Sequence, residues 1–265
     1  MRLLTLNCHS WQEENQLKKI QHVAETIAAN DYDVVALQEV SQKETSEIVE
    51  GVIRKDNYGL LLQQELKKHG KDYSLMWDQA HKAFDIYEEG LATLTKHPVK
   101  KVQTHFVSSS RDYNNWKTRI VLQTDIEIKC NIYSFFNCHF GWWADEQEPG
   151  SLQLQQLMDI IPKDVSVFLM GDFNSEADIE GEGYSYMLAN GFYDTYVEAS
   201  DKDQGITVPG KIAGWDDHAE EKRIDYIFTN KKVPVAHSKV IFNGENKDVV
   251  SDHYGVDVKI AKEEL

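Results

Sequence analysis

The apolar positions of this chain fall in short runs, and most runs stop at a polar residue. Leu3 to Leu6 is a β-prone run that ends at Asn7. Leu17, Ile20, Ala24 and Ile27 follow at helical spacing, and Val34 to Leu37 is a second short run that ends at Gln38-Glu39. Strand, helix, strand in that order predicts strands buried under helices. Helices are expected over Glu44 to Arg54 and Tyr58 to His69, and strands over Leu91 to Leu94 and Val99 to Val107. Arg119 to Glu127 and Asn131 to His139 alternate roughly in the manner of a hairpin. Leu152, Leu157 and Ile161 mark a helix that ends before Pro162, and Tyr184 to Asn190 a helix capped by Gly191. Further strands are expected at Ile224 to Phe228, Val235 to Phe242 and Tyr254 to Ile260. Ser108 to Lys117, Phe140 to Asp145 and Gly205 to Arg223 read as loops. No repeat, low-complexity tract or linker interrupts the pattern, so one domain over residues 1–265 is the economical reading.

One run carries more than packing. Val165 to Leu169 is followed by Met170-Gly171-Asp172-Phe173-Asn174, a buried strand expected to end in a tight Gly turn. Asp172 and Asn174 are two apart, so an extended backbone would point both the same way. Other predicted strand ends repeat the theme: Asn7, Glu39, His139 and Asp252-His253. Asp225 is an acid inside the apolar strand Arg223 to Phe228, and a buried acid needs a cation or histidine partner. Each alone has an ordinary reading as a cap, a turn residue or a satisfied core group. Spread over the whole chain, and each beside an apolar run, they suggest convergence at one edge of a sheet core.

Charge narrows the ligand. With 28 Lys+Arg against 44 Asp+Glu the formal net charge is −16, which repels polyanions and disfavours nucleic acid as a partner. Three cysteines, Cys8, Cys130 and Cys138, are an odd number without metal-finger spacing, which argues against a disulfide framework. Cys8 and Cys138 alternate away from Asn7 and His139 and are expected to pack the core. Met1 to Asn7 is too short and polar for a signal segment, and no run has the ~18 apolar residues of a membrane span. A cytoplasmic protein without membrane contact is expected.

The ordered set Asn7, Leu37-Gln38-Glu39-Val40, Gly90-Leu91-Ala92, Asn137-Cys138-His139-Phe140, Gly171-Asp172-Phe173-Asn174, Arg223-Ile224-Asp225-Tyr226 and Ser251-Asp252-His253 resembles the endonuclease/exonuclease/phosphatase superfamily. The resemblance runs from Asn7 to His253. It implies an α/β fold: a four-layered sandwich of two packed, mainly antiparallel sheets flanked by helices. It also implies metal-dependent phosphoester hydrolysis, with Mg²⁺ (Mn²⁺ as the alternative) held by Glu39 with Asn7 and Asp252 nearby. A hard cation offsets the charge of the ester and lowers the pKa of a bound water. By the same resemblance Asp172 would orient or deprotonate that water, and Asn174 would hold it or a phosphate oxygen. His253, oriented by Asp225, would act as acid or base, and His139 and Arg119 would donate to phosphoryl oxygens. Glu89 would orient His139.

The loops indicate the substrate class. Trp116, Trp142, Trp143 and Trp215 all lie in loops next to these elements, and the segment Gly141 to Glu148 is aromatic and acidic. Tryptophan faces pack on sugar rings, although loop anchoring is the competing role for each. The opening Asn7 to Glu14 and the Gly141-Trp142-Trp143 loop are most similar to a branch that includes intracellular phosphatases of disaccharide phosphates such as maltose 6′-phosphate. The favoured expectation is therefore a phosphatase of a small phosphorylated sugar. The alternatives are a nuclease or sphingomyelinase-like phosphodiesterase and a non-catalytic binding protein on the same fold.

Overall fold

In the strand Arg2–Asn7 (β1), every side chain from Leu3 onward is buried, although β1 is a strand with two faces. The core explains why. Leu4 and Leu6 pack with the helix Gln16–Asn30 (α1), while Leu3 packs on the opposite side with Phe135, Phe168 and Val258. A strand buried on both faces reads as a continuous apolar run, which is what short runs such as Leu3 to Leu6 signal.

The computed structural model describes residues 1–210 and 220–261. After β1 and α1 come Val34–Lys43 (β2), Ile48–Glu50 (β3), Ile53–Arg54 (β4), Tyr58–Lys68 (α2), Ser74–Ala83 (β5) and Tyr87–Thr95 (β6). Val99–Phe106 (β7), Ile120–Ile128 (β8), Asn131–His139 (β9), Gly150–Ile160 (α3) and Ser166–Asp172 (β10) follow. The last elements are Gly183–Ala189 (α4), Tyr193–Asp194 (β11), Thr195–Glu198 (α5), Ala199–Lys202 (β12), Asp225–Thr229 (β13), Val235–Ile241 (β14) and Gly255–Ile260 (β15).

Two sheets result, ordered β12-β14-β15-β1-β2-β6-β5 and β11-β13-β10-β9-β8-β7, and β3-β4 is a separate small hairpin. Pairing is mainly antiparallel; β1 with β2, β9 with β10 and β12 with β14 are parallel, the first two with α1 and α3 as their crossovers. Three large apolar clusters fill three interfaces, and a small one, Leu91 with Ile120 and Leu122, adds to the contact between the sheets. One lies between α1, α2 and the first sheet, one between the two sheets, and one between the second sheet and α3 and α4. This is the four-layered α/β sandwich. No described helix is long and apolar enough to cross a membrane.

Several expectations change at this level. Glu44 to Arg54 is a turn and the β3-β4 hairpin instead of a helix, its Ile48 and Val49 exposed on a small edge element. On α1 the buried face is Gln16, Ile20, Val23, Ala24 and Ile27, so Leu17 points outward at 60% exposure. The strand β5, with mixed polar residues and no clear alternation, was not legible. Gly171 is no turn: it lies within β10, paired with Cys138 of β9, where a Cβ would come within 1.9 Å of the Cys138 carbonyl oxygen. The parallel strands approach too closely there for any other residue. The segment Gly205 to Arg223, including Trp215, lies partly outside the described residues.

Candidate active site

The face of each strand that packs between the sheets continues past the apolar core as a polar row. On β10 the inter-sheet positions are Phe168 and Met170, then Asp172; on β9, Phe135 and Asn137, then His139. Pairing aligns them, with Asp172 beside His139 on one side and beside Asp225 of β13 on the other. Residues in register on neighbouring strands project to one face, so three functional side chains are adjacent by register alone. On the facing sheet β1 ends at Asn7, paired with Gln38 of β2.

A polar tie fixes the spacing of the two sheets directly behind the site. Asn137 donates through Nδ2 to the Leu37 carbonyl (3.0 Å) and the Ala92 carbonyl (2.8 Å), and its Oδ1 accepts from Gln38 Nε2 at 2.7 Å. All its partners are buried, so the network costs little and specifies one sheet-to-sheet register. The Leu37 and Ala92 carbonyls come from β2 and β6, whose pairing shifts between Leu37 and Val40. Glu39 sits in that bulge at φ 52°, which re-aims its carboxylate toward Asn7. Asn137 and Gln38 belong to the site although their roles were not anticipated. The signal was a polar residue at an inward position of an otherwise apolar strand.

Asp172 is the hub. Its Oδ2 lies 3.2 Å from Asn7 Nδ2, 3.7 Å from His139 Nε2 and 3.8 Å from His253 Nε2, and its Oδ1 accepts the Asn174 backbone N–H at 2.9 Å. Asn7 Nδ2 also donates to Glu39 Oε1 at 2.8 Å, and Asn7 Oδ1 accepts the His9 backbone N–H at 3.1 Å. His139 Nε2 is 3.9 Å from Glu39 Oε1. His253 Nδ1 meets Asp225 Oδ2 at 2.9 Å, both fully buried. Asn174 does not extend from the strand beside Asp172. It takes a left-handed backbone (φ 46°), and its Nδ2 donates to the Phe140 carbonyl at 2.8 Å.

The charges separate the roles of these groups. Burial, then the charge of Asp225, pushes the Asp172 carboxyl up to about 7. Burial, then Glu89 and Asp252, pushes Glu39 up to about 8, although its side chain keeps 23% of its surface exposed to the cleft. For His253 burial works against protonation, but Asp225 and Asp172 outweigh it and hold the imidazolium well above the usual range. Burial and the Arg119 charge hold His139 well below it, so this imidazole is neutral. Burial also raises the thiols of Cys8 and Cys138, which point into the helix-side cores.

These groups form the floor of a cleft of about 500 Å³, within the usual size of a small-molecule site. Arg119 lines it. Its Nη1 donates to the Trp116 carbonyl at 2.7 Å, while its Nε is buried without a protein partner, a donor suited to an anionic ligand. Asp252 and His9 also line the cleft, with His9 Nδ1 2.8 Å from Glu13 and 3.7 Å from Asp252. Glu89 is placed differently from expectation: it meets His81 Nε2 at 3.2 Å, because His81 and Glu89 are direct cross-strand partners on β5 and β6. His81 was missed with its strand.

The walls are loops. Trp116 and Trp142 line the cleft with ring centroids 6.0 Å apart, edge to face. Trp143 faces away: its ring packs at 5.9 Å on Tyr186 of α4 and serves the outer core. The two wall loops are stapled together. Lys117 Nζ meets Asp145 Oδ2 at 2.6 Å, and the buried Glu148 accepts the Ser109 and Ser110 N–H groups at 2.8 and 2.7 Å.

Residues 4–253 match the endonuclease/exonuclease/phosphatase family. Among solved structures, a protein of that family from Leptotrichia buccalis C-1013-b is 39% identical, covering 98% of this chain and 99% of its own, with a TM-score of 0.91. A mannosyl-6-phosphatase from Bacteroides thetaiotaomicron VPI-5482 is 16% identical over 98% of this chain and 99% of its own, with a TM-score of 0.70. Truncated TDP2 from Caenorhabditis elegans is 15% identical over 98% and 96%, with a TM-score of 0.64. The last two are likenesses of fold. No curated protein matches the sequence.

Proposed function

The chain belongs to the endonuclease/exonuclease/phosphatase family of metal-dependent phosphoester hydrolases, and on that premise we propose that it is a phosphomonoesterase of a phosphorylated sugar such as maltose 6′-phosphate. The observation that carries the proposal is the charge of the cleft wall. Its two lysines are already engaged, Lys82 by Glu44 at 2.8 Å and Lys117 by Asp145 at 2.6 Å. Arg119 is left for one phosphoryl group, whereas a nucleic-acid backbone needs a row of cations. The rest of the wall includes the tryptophan pair, Phe84, Asp85, Asn114 and Asp145, which suits a ring bearing hydroxyls.

The donor set fits a hard divalent cation. Glu39 faces the cleft under the repulsion of Glu89 and Asp252, an excess of negative oxygen that a cation relieves. Glu39, with Asp252 and the second lone pair of Asn7 Oδ1, would hold Mg²⁺ or Mn²⁺, which when bound offsets phosphoryl charge and acidifies a water. Asp172, poised near neutrality, takes a proton from the attacking water. His253, kept cationic by Asp225, and Arg119 donate to the phosphoryl oxygens as charge builds there. Neutral His139 donates one further hydrogen bond. Asn174 and Asn7 hold the Asp172 carboxylate in place from either side.

A release assay on maltose 6′-phosphate, a phosphodiester and plasmid DNA tests this. Phosphate release from the sugar ester on adding Mg²⁺, abolished by a chelator, with the plasmid intact, is the expected result. Cleavage of the diester or the plasmid with the sugar ester untouched overturns it.

A further inference from the structure

Phe84, at the tip of the β5-β6 hairpin, belongs to none of the buried apolar clusters. It is 64% exposed and stands at φ 51°, followed by Asp85 at φ 56°. Two successive left-handed residues make the tight hairpin turn that Asn-Gly supplies without strain, and a bulky ring at positive φ is costly. Exposed apolar side chains are common, Ile86 in the same turn among them, but Phe84 combines exposure with a backbone that disfavours a bulky ring.

The ring lines the same cleft as Glu39, Asp172, Trp116 and Trp142. The hairpin that carries it starts from the chemistry, since its cross-strand pair His81 and Glu89 lines the same cleft as Arg119 and His139. Phe84 lies three positions beyond His81, just past the end of β5, which is about 10 Å at the rise of a β-strand. The cleft therefore continues from the reacting groups outward by more than the width of one sugar ring. The tip is also held in place. The Lys82 backbone N–H donates to the Tyr113 carbonyl at 2.7 Å, and the Tyr113 hydroxyl donates to Glu44 at 2.7 Å, tying the hairpin to the Trp116 loop. A contact fixed in advance costs little ordering entropy on binding. Asp85, next to Phe84 in the chain, also lines the cleft, which disfavours a second anionic group beside the ring.

We propose that Phe84 is a specificity-determining contact for the part of the substrate beyond the phosphorylated ring, stacking on a second, neutral sugar ring joined to it. The proposal rests on the sugar-phosphatase reading and adds to it a reason for preferring a phosphorylated disaccharide to a monosaccharide phosphate. The test is steady-state hydrolysis of maltose 6′-phosphate and glucose 6-phosphate by wild type, Phe84→Asn and Phe84→Trp with Mg²⁺. Asn tolerates the left-handed turn, so the hairpin stays intact. Phe84→Asn is expected to raise KM for the disaccharide ester about five- to tenfold and to leave the monosaccharide ester within about twofold, with Phe84→Trp restoring the preference. An equal change on both substrates, or none, overturns the role of Phe84 and leaves the phosphatase reading standing. Wild type that hydrolyses neither ester but cleaves a diester defeats the phosphatase reading itself, and this proposal with it.

Discussion

The floor and the rim of the cleft are built by different physics. On the floor, His139, Asp172 and Asp225 are neighbours because three strands pair in register, and Asn7 faces them from a second sheet held at fixed spacing by Asn137. Those three strand residues cannot shift relative to one another without breaking a ladder. On the rim, Trp116, Trp142 and Phe84 come from two loops and a hairpin tip, held by side-chain contacts such as Lys117 with Asp145. The floor is suited to one reaction held in rigid geometry. The rim can vary without disturbing the fold, so selectivity among substrates belongs to it.

If that division holds, substitutions on the floor act on kcat and those on the rim on KM. The largest effect is expected from Asp172→Ala, which removes the hub and its proton acceptor. A fall in kcat of about a thousandfold or more follows, with KM little changed. Folding should survive. The Asp172 pKa lies above that of an unfolded aspartate, so its ionised form opposes folding increasingly as pH rises through the unfolded value, and its removal relieves that cost near neutrality. Thermal unfolding and kinetics on one preparation check both halves. Near-native turnover in this variant would take Asp172 out of the mechanism.

The same division explains what could be read from the sequence. Asn7, Glu39, His139, Asp172 and His253 were legible because each terminates or interrupts an apolar run, and strand period then fixes where it points. The position of Asp225 was legible because an acid in the strand of Tyr226 and Phe228 demands a partner, which is His253. The bulge that turns Glu39 was not, since it depends on the register between β2 and β6. Asn174 was misread as extended because the left-handed turn is fixed by its bonds to Asp172 and Phe140, which are tertiary. On the rim, nothing in Gly141-Trp142-Trp143 says which ring meets the cleft: Trp142 does, while Trp143 packs on Tyr186. Glu89 was assigned to His139 because its true partner, His81, lies on a strand without apolar alternation.

Trp142→Ala sharpens the comparison from the other side. Its ring supports Trp116 edge to face and offers the cleft an apolar surface. Loss of that surface is expected to raise KM for a sugar phosphate about tenfold, with a smaller effect on a small aryl phosphate and little change in kcat for either. Equal effects on both substrates would return Trp142 to a packing role.

The smallest effect is the most diagnostic of how the rim is held. Glu148 never needs to touch substrate for its influence to be felt, because its two carboxylate oxygens receive the Ser109 and Ser110 N–H groups at the start of the loop that carries Trp116. In Glu148→Gln one of these donors faces an NH₂ group in place of an oxygen, at a buried site where an unmet donor costs about 1–3 kcal/mol. The loop can avoid much of that cost by shifting, and a shift there moves Trp116 relative to Trp142. The expected outcome is a rise of about two- to fourfold in KM for the sugar phosphate, kcat unchanged, and a change in tryptophan fluorescence without substrate. A kcat that fell instead would mean that the loop is mechanically continuous with Arg119, whose Nη1 is bonded to the Trp116 carbonyl, and that rim and floor are one device.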